Sequence, residues 1–433
     1  MTKFAPSPRG SRRKANSLSR RRVLGGAVAG AAALYAPAVL GQKTARVVVV
    51  GGGFAGGTAA RALAREGGIS VTLVEPQAQY TACPLSNSVV AGLRDLKAQQ
   101  FDIGSVAKDG IAVVRQRAVG VDQQARRLRL ENGEALDYDR LVLAPGVDLR
   151  FDVLKGYDQK AAEVIPHAWK AGEQTLLLRR QLEAMTNGGV VVMSVPANPY
   201  RCPPGPYERA SLIAHYLKTK KPRSKLIILD GKDTFSKQKL FEAAWKELYP
   251  GLIEWVPLSS GGAVIEVDAG AKTLITDFGK HKAVVANVIP PQRAGEIAHI
   301  AGVADKTGWC PVDPVTFESR LQPNIHVIGD AIIAGGMPKS AFSANSQAKV
   351  CASAVAQLLA GEAPAPQKLI NTCYSLVGPD YGISIAGVFA PKDGVLTEVA
   401  GGVSPMDKPA AFRAEEARHA EAWFETITRA VYG

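Results

Sequence analysis

The run Arg46-Val-Val-Val-Val50, followed at once by Gly51-Gly52-Gly53-Phe54-Ala55-Gly56, leaves few folds open to this chain. The β-branched run predicts a buried strand, the glycines a tight turn, and the alanine-rich residues 58–65 a helix. Gly51 allows the turn, Gly53 removes a side chain that would block a pyrophosphate, and Gly56 lets the helix pack close on the strand. The phosphates then meet the positive end of the helix. A second strand, Ile69-Ser-Val-Thr-Leu-Val74, ends in Glu75, about 20 residues past the glycines, where an acid holds a ribose hydroxyl pair. A lone G-x-G-x-x-G is weak evidence. Strand, glycines, helix, strand and acid in register within one βαβ unit are strong evidence for a dinucleotide site.

Two later segments indicate which dinucleotide. Leu141-Val-Leu-Ala144-Pro-Gly146 is a strand ending in a small-residue turn, and Ile325-His-Val-Ile-Gly329-Asp330 is a buried strand ending in Gly-Asp. With the first motif, these resemble the glutathione reductase class of flavoproteins, which carry two dinucleotide domains. In that class the Gly-Asp carboxylate holds the ribitol or pyrophosphate of FAD, a role the resemblance gives to Asp330. An aspartate capping the helix that follows the strand is compatible with the same pattern. The wide spacing of the three segments predicts an FAD domain interrupted by another domain.

The interrupting domain repeats the plan of the first. Gly189-Val-Val-Val-Met-Ser-Val195 is a buried-type strand, residues 207–218 read as a helix, and Lys225-Leu-Ile-Ile-Leu-Asp230 is the next strand. The connecting turn reads Pro196-Ala-Asn-Pro-Tyr-Arg-Cys202-Pro-Pro-Gly-Pro206, with one glycine where open backbone would have to meet a pyrophosphate. Prolines lack the N–H donors that cradle phosphate. This domain is therefore expected not to bind NAD(P), and electrons on a flavin must leave by another route.

Five cysteines, Cys83, Cys202, Cys310, Cys351 and Cys373, form no CxxC pair and no metal-ligand spacing with one another or with the six histidines. No metal site is expected. The absence of CxxCH also means that this chain carries no c-type haem. Cys310 and Cys351 lie in apolar contexts and read as packing residues.

Residues 1–41 carry eight Lys/Arg and no acid, and 23–40 form an apolar Ala/Gly-rich stretch containing Ala36-Pro-Ala38. This reads as an export signal. Ser19-Arg20-Arg21-Arg22-Val23-Leu24 resembles the twin-arginine type, a route used by proteins that fold around a cofactor before crossing, so a periplasmic location is expected. Disulfides persist in that compartment. Without the leader the formal net charge falls from +13 to +5, with no long basic run and no nucleic-acid signature. No integral membrane segment is expected in the remainder.

A series of irregular strings carries a closer resemblance: Tyr80-Thr-Ala-Cys83-Pro-Leu-Ser-Asn87, Pro166-His-Ala-Trp-Lys-Ala-Gly-Glu-Gln174, the run from Arg201 to Ala210, Phe235-Ser-Lys-Gln238, Asn287-Val-Ile-Pro-Pro-Gln-Arg-Ala-Gly295, Gly308-Trp-Cys-Pro-Val-Asp313, Met337-Pro-Lys-Ser340, Ser343-Ala-Asn-Ser-Gln347 and Asn371-Thr-Cys-Tyr-Ser375. From about Arg46 onward the chain is similar to the flavoprotein subunit of flavocytochrome c sulfide dehydrogenase, and also to the flavoprotein of the Sox sulfur-oxidation system. The resemblance implies a thioether from Cys83 to the flavin and a redox disulfide between Cys202 and Cys373 facing it. A purely structural bridge is the alternative. Hydrosulfide would open the redox bridge to a persulfide and a thiolate, and sequence does not say which sulfur is struck.

Glu208 stands six residues after Cys202. The resemblance puts it near the bridge as a proton acceptor, although any helix also favours an acid in its first turn. Lys339 is either a cation near the reduced flavin or a solvated lysine. The expected flavin contacts are Gly51, Gly53, Phe54, Ala55 and Gly56 in the loop; Glu75, Pro76, Cys83 and Val119 beyond it; and Ala144, Gly146, Gly329, Asp330 and Lys339. A c-type cytochrome subunit is the implied partner and sulfide the implied substrate. A sulfide:quinone oxidoreductase, or an accessory flavoprotein of thiosulfate oxidation, are the alternatives. The fold expected is α/β, with two Rossmann-like domains of glutathione reductase type and a C-terminal α+β interface domain. The domains expected are a signal peptide over 1–41, a discontinuous FAD domain over 42–155 and 285–365, a second Rossmann-like domain over 156–284, and the interface domain over 366–433.

Overall fold

The computed structural model describes residues 44–433; the expected export signal lies outside them. The first valine run forms the strand Ala45–Val50, whose Val47 and Val49 are wholly buried. A strand apolar on both faces suits the centre of a parallel sheet. It occupies that place in a five-stranded, all-parallel sheet with the order Ile325–Val327, Arg140–Leu143, Ala45–Val50, Ile69–Val74, Ala112–Val114. The helix Phe54–Ala64 starts directly after Gly53, four residues earlier than the alanine run suggested, because Gly53 is already extended and serves as the N-cap.

The chain leaves this sheet through the strand Val147–Leu149 and returns through Gln292–Ala294, and the two passages pair antiparallel. Between them lies a four-stranded parallel sheet ordered Ile253–Val256, Lys225–Asp230, Val190–Val195, Val285–Val288. The helix Gly205–Lys220 follows its central strand, with proline in the first turn, where a missing N–H costs nothing. The two parallel sheets give the expected α/β class. One boundary differs from expectation: Val285–Val288 pairs with Val190–Val195 and so ends the second domain, and the crossing back comes at Gln292–Ala294 rather than at 285.

The last portion is an antiparallel sheet of Leu369–Gly378, Tyr381–Lys392 and Val395–Val403, followed by the helix Ala410–Tyr432. That helix buries Phe424, Ile427, Val431 and Tyr432 in the same core as Val47, Val49 and Leu63. Its charged residues Glu415, Arg418 and Glu425 lie outside that core. Burial of four such side chains is worth several kcal/mol at about 1.5–3 kcal/mol each, which fastens the C-terminal portion to the first sheet.

Candidate functional site

The glycine loop is closed by short-range sterics. A Cβ at Gly56 would stand 1.8 Å from the Gly51 carbonyl oxygen, and one at Gly51, which has φ +105°, would meet the Ala144 carbonyl oxygen at 2.4 Å. Gly52 N–H donates to Glu75 Oε2 at 2.8 Å, and Gln77 N–H donates to Oε1 at 2.9 Å. Glu75 is thereby held at the strand end beside the loop. Across the sheet, Gly329 N–H donates to the buried Gln347 Oε1 at 2.8 Å. The next residue, Asp330, carries a buried Oδ1 with no hydrogen-bond partner. Burial raises its carboxyl above the ordinary aspartate range, against the opposing charges of Arg201 and Lys339. Asp330 caps no helix. Ser340 does so for Ala341–Leu359, its Oγ accepting from Ser343 N–H at 3.0 Å.

The second turn is built differently. Cys202 adopts φ +59°, a left-handed conformation worth about 1–3 kcal/mol of strain in a non-glycine residue. Its N–H donates to the Lys339 carbonyl at 2.8 Å, and its carbonyl accepts from Gly205 N–H at 2.8 Å. Cys373 comes from the middle of Leu369–Gly378, and both sulfurs are free thiols lining one cavity. Burial pushes the Cys202 thiol well up, and the neighbouring Glu208 and Cys373 push it further.

Glu208 is buried at the start of its helix, and its oxygens accept from Asn87 Nδ2 at 2.9 Å and Leu376 N–H at 3.4 Å. Desolvation raises its carboxyl, partly offset by Asn87 and Lys237. Asn87 is itself oriented by Arg209, whose Nε donates to Asn87 Oδ1 at 3.0 Å. The Lys237 ammonium donates to the Cys373 carbonyl and to Ser375 Oγ, both at 2.8 Å. Burial lowers its pKa to about 8. Asn371 Nδ2 lies 3.4 Å from Cys373 Sγ.

A single cavity of about 580 Å³ runs between these two ends. It brings together Gly51, Gly53, Phe54, Ala55, Glu75, Cys83, Ala144 and Gly146 with Cys202, Glu208, Gly329, Asp330 and Cys373. Cys83 Sγ lies 3.7 Å from the Trp169 carbonyl oxygen, on the wall. Four of the expected contacts are not on the lining. Gly56 lies behind the loop, where its role is close packing. Pro76 is passed over between Glu75 and Gln77. Val119 sits on Ala118–Asp122, in a separate antiparallel sheet, 38% exposed. Lys339 turns its ammonium to the carbonyls of Asp330 and Ile332, at 2.8 and 2.6 Å, and lies 3.8 Å over the Trp309 ring. It is neither solvated nor directed into the cavity.

Sequence reasoning passed over Arg201, Lys237 and Asn371. Arg201 lines the cavity and its charge opposes that of Asp330. All three stand inside the irregular strings already singled out, and Asn371 and Cys373 are two apart on a strand, hence on one face. His167 is held in the structure by its Nδ1, which accepts from Trp169 N–H at 2.9 Å, and burial lowers its pKa to about 3. At the end of the second sheet, Asp230 is engaged by the Tyr207 hydroxyl at 2.6 Å, the Trp255 indole at 3.0 Å and the Lys232 ammonium at 2.6 Å. Phe235 stacks on Tyr207 at 3.6 Å.

Three family models match the chain: the central part of the sulfide dehydrogenase (flavocytochrome c) flavoprotein chain over 175–290, the flavin-binding part of flavocytochrome c sulphide dehydrogenase over 365–432, and pyridine nucleotide-disulphide oxidoreductase over 45–180. The chain is 55% identical over 47 residues to the sulfide dehydrogenase flavoprotein chain of Chlorobaculum thiosulfatiphilum, covering 98% of that sequence and 11% of this one. It is 26% identical over 308 residues to the mitochondrial sulfide:quinone oxidoreductase of Mus musculus, spanning 66% of this chain and 65% of that protein's length. Among solved structures, the sulfide:quinone oxidoreductase of Aquifex aeolicus superposes with a TM-score of 0.71 at 17% identity, covering 89% of this chain and 92% of that one. The reductase of the putidaredoxin reductase–putidaredoxin complex does so with 0.61 at 18% identity, covering 87% and 93%. These likenesses are of fold.

Proposed function

We propose, on the premise that this chain belongs to the flavoprotein family of flavocytochrome c sulfide dehydrogenase, that it oxidises hydrogen sulfide to sulfur or polysulfide and passes the electrons to a c-type cytochrome subunit in the periplasm. The observation that carries this reading is the meeting of Cys202, Cys373 and Glu208 in the same cavity as the glycine loop and Asp330.

The residues present fit FAD. The loop has no room for a Cβ at Gly51 or Gly56, and the unpartnered Asp330 Oδ1 is an acceptor waiting for a hydroxyl donor. Gly51, Gly53, Glu75, Ala144, Gly146 and Asp330 would hold the cofactor, and Cys83 on the wall is the residue for a thioether to it. When bound, FAD supplies the two-electron oxidant.

The chain's own part is thiol exchange. In the oxidised protein a Cys202–Cys373 bridge is opened by hydrosulfide, leaving a persulfide on one cysteine and a thiolate on the other. A further sulfide releases the outer sulfur. Glu208, whose carboxyl is raised by burial and so holds a proton more readily than an ordinary glutamate, is suited to accept one from hydrosulfide or thiol. The proline-rich turn and the engaged Asp230 support a reading in which NAD(P) is not the acceptor. Among the described residues no helix is long and apolar enough to cross a membrane, and the final helix turns its apolar face into the core. The twin-arginine-type leader supports periplasmic export.

Anaerobic titration of the purified full chain with sulfide tests the reading through bleaching of the flavin. Bleaching followed by transfer to cytochrome c is expected. Preferential reduction of quinone would assign the protein to the membrane enzymes, and a flavin indifferent to sulfide would leave an accessory role in thiosulfate oxidation. Flavin that stays with the polypeptide after acid precipitation, but is released by Cys83→Ser, checks the thioether.

A further inference from the structure

Resting on that reading, we propose that Asn371 decides which sulfur of the bridge is attacked: its amide holds Cys373 as the leaving thiolate, so that hydrosulfide adds to Cys202.

The orientation of the Asn371 amide is set by its neighbours. The side chain is buried, and its Oδ1 accepts from Ser340 Oγ at 2.6 Å and from Ser343 Oγ at 3.1 Å. Ser340 Oγ thus donates its proton to Asn371 while one of its lone pairs accepts from Ser343 N–H at 3.0 Å. With the carbonyl end committed to two hydroxyls, the NH₂ end faces Cys373 Sγ at 3.4 Å. A protonated Cys373 can also lean on Oδ1, 3.6 Å away. A thiolate or bridged sulfur has no proton to give, and then only the Nδ2 donor contact remains.

The surrounding charges act in the same direction. The Lys237 ammonium sits under the Cys373 backbone through its bonds to the Cys373 carbonyl and Ser375 Oγ. Cys202 has Glu208 as its foremost charged neighbour, which disfavours a thiolate there, with Arg201 and Lys237 opposing in smaller measure. Thiol exchange expels the sulfur that better bears negative charge. Hydrosulfide therefore forms its bond to Cys202 Sγ, the Cys202–Cys373 bond breaks, and its electron pair stays on Cys373 Sγ under the Asn371 donor. The products are a Cys202 persulfide, which carries the hydrosulfide proton until Glu208 accepts it, and a Cys373 thiolate.

The test maps the added sulfur. Oxidised full-length protein is mixed with stoichiometric sulfide, quenched with iodoacetamide and analysed by peptide mass. The expected result is an additional sulfur on the Cys202 peptide and none on the Cys373 peptide. A sulfur on Cys373, or an even split, overturns this proposal while leaving the redox bridge standing; a sulfur on neither overturns the sulfide reading itself. A second measurement does not depend on turnover. In a Cys202→Ser background, Asn371→Leu is expected to slow alkylation of Cys373 at neutral pH about tenfold, the effect of losing one hydrogen bond to a charged sulfur. Ser340→Ala, which frees the amide to turn, slows it by a smaller factor. An alkylation rate unchanged in both variants overturns the role of Asn371.

Discussion

The hydroxyl of Tyr432 donates to the carbonyl oxygen of Gly52 at 3.0 Å, joining the last turn of the chain's final helix to the glycine loop 380 residues earlier. The ring stacks on Tyr80 at 5.5 Å and on Phe101 at 5.3 Å. Beside it, a Cβ at Gly57 would stand 2.6 Å from Val431 Cγ1. Tyr432→Phe is expected to cost about 1 kcal/mol through the lost hydrogen bond and, in a Cys83→Ser background where no thioether holds the cofactor, to speed flavin release. Gly57→Val, which must push the helix away, is expected to cost about 1–3 kcal/mol. Thermal unfolding with flavin fluorescence as a second probe measures both.

Asp330 carries a buried oxygen without a partner. A residue kept for a ligand in this way should show opposite effects with and without it. Asp330→Ala is expected to stabilise the flavin-free protein by about 1–3 kcal/mol, the cost of leaving a buried polar atom unsatisfied, and to lower the flavin content of the purified protein. Denaturant unfolding of the apoprotein and the flavin-to-protein absorbance ratio test the two halves separately.

Glu208 has its carboxyl raised by burial, so the folded protein holds that proton more tightly than the unfolded chain. Its contribution to stability is fully present below the ordinary glutamate value and is lost as pH rises through the raised folded value. Glu208→Gln is expected to remove this loss, so that the variant becomes more stable relative to the parent as pH rises. Sulfide-dependent turnover should fall by about a hundredfold if the carboxylate is the base. Urea titrations at several pH values, with initial rates alongside, read both effects.

Lys237 works in the opposite sense. Burial lowers its pKa from 10.5 to about 8, so between those values the unfolded chain holds a proton that the folded protein has released. Stability then climbs with pH across that window, by at most about 1.4 kcal/mol per pH unit. Lys237→Met is expected to abolish the climb. Unfolding midpoints measured from pH 7.5 to 10.5 on parent and variant decide it.

Much of the cofactor end was legible because its physics is local. The glycine loop, Glu75, Ala144 and Gly146 follow from backbone conformation at strand ends, and such requirements are written in runs of a few residues. Val119 failed that reading because a small antiparallel sheet carries it away from the cavity. Lys339 failed it because the Trp309 ring and two carbonyls, none adjacent in sequence, offered its ammonium a closer home.

The sequence by itself determined the first dinucleotide unit and the glycine-poor second turn, since each depends on strand periodicity or on what proline and glycine permit; the roles of the cysteines came only with the family resemblance. Only the tertiary structure decided how the sulfurs are surrounded. Cys202 lies on a turn after one sheet, Lys237 at the head of the next helix, Asn371 and Cys373 on a strand of another sheet, and Ser340 at a helix cap. Their meeting is a product of packing between elements, and the donor on one sulfur and the carboxylate beside the other arise only where those elements converge.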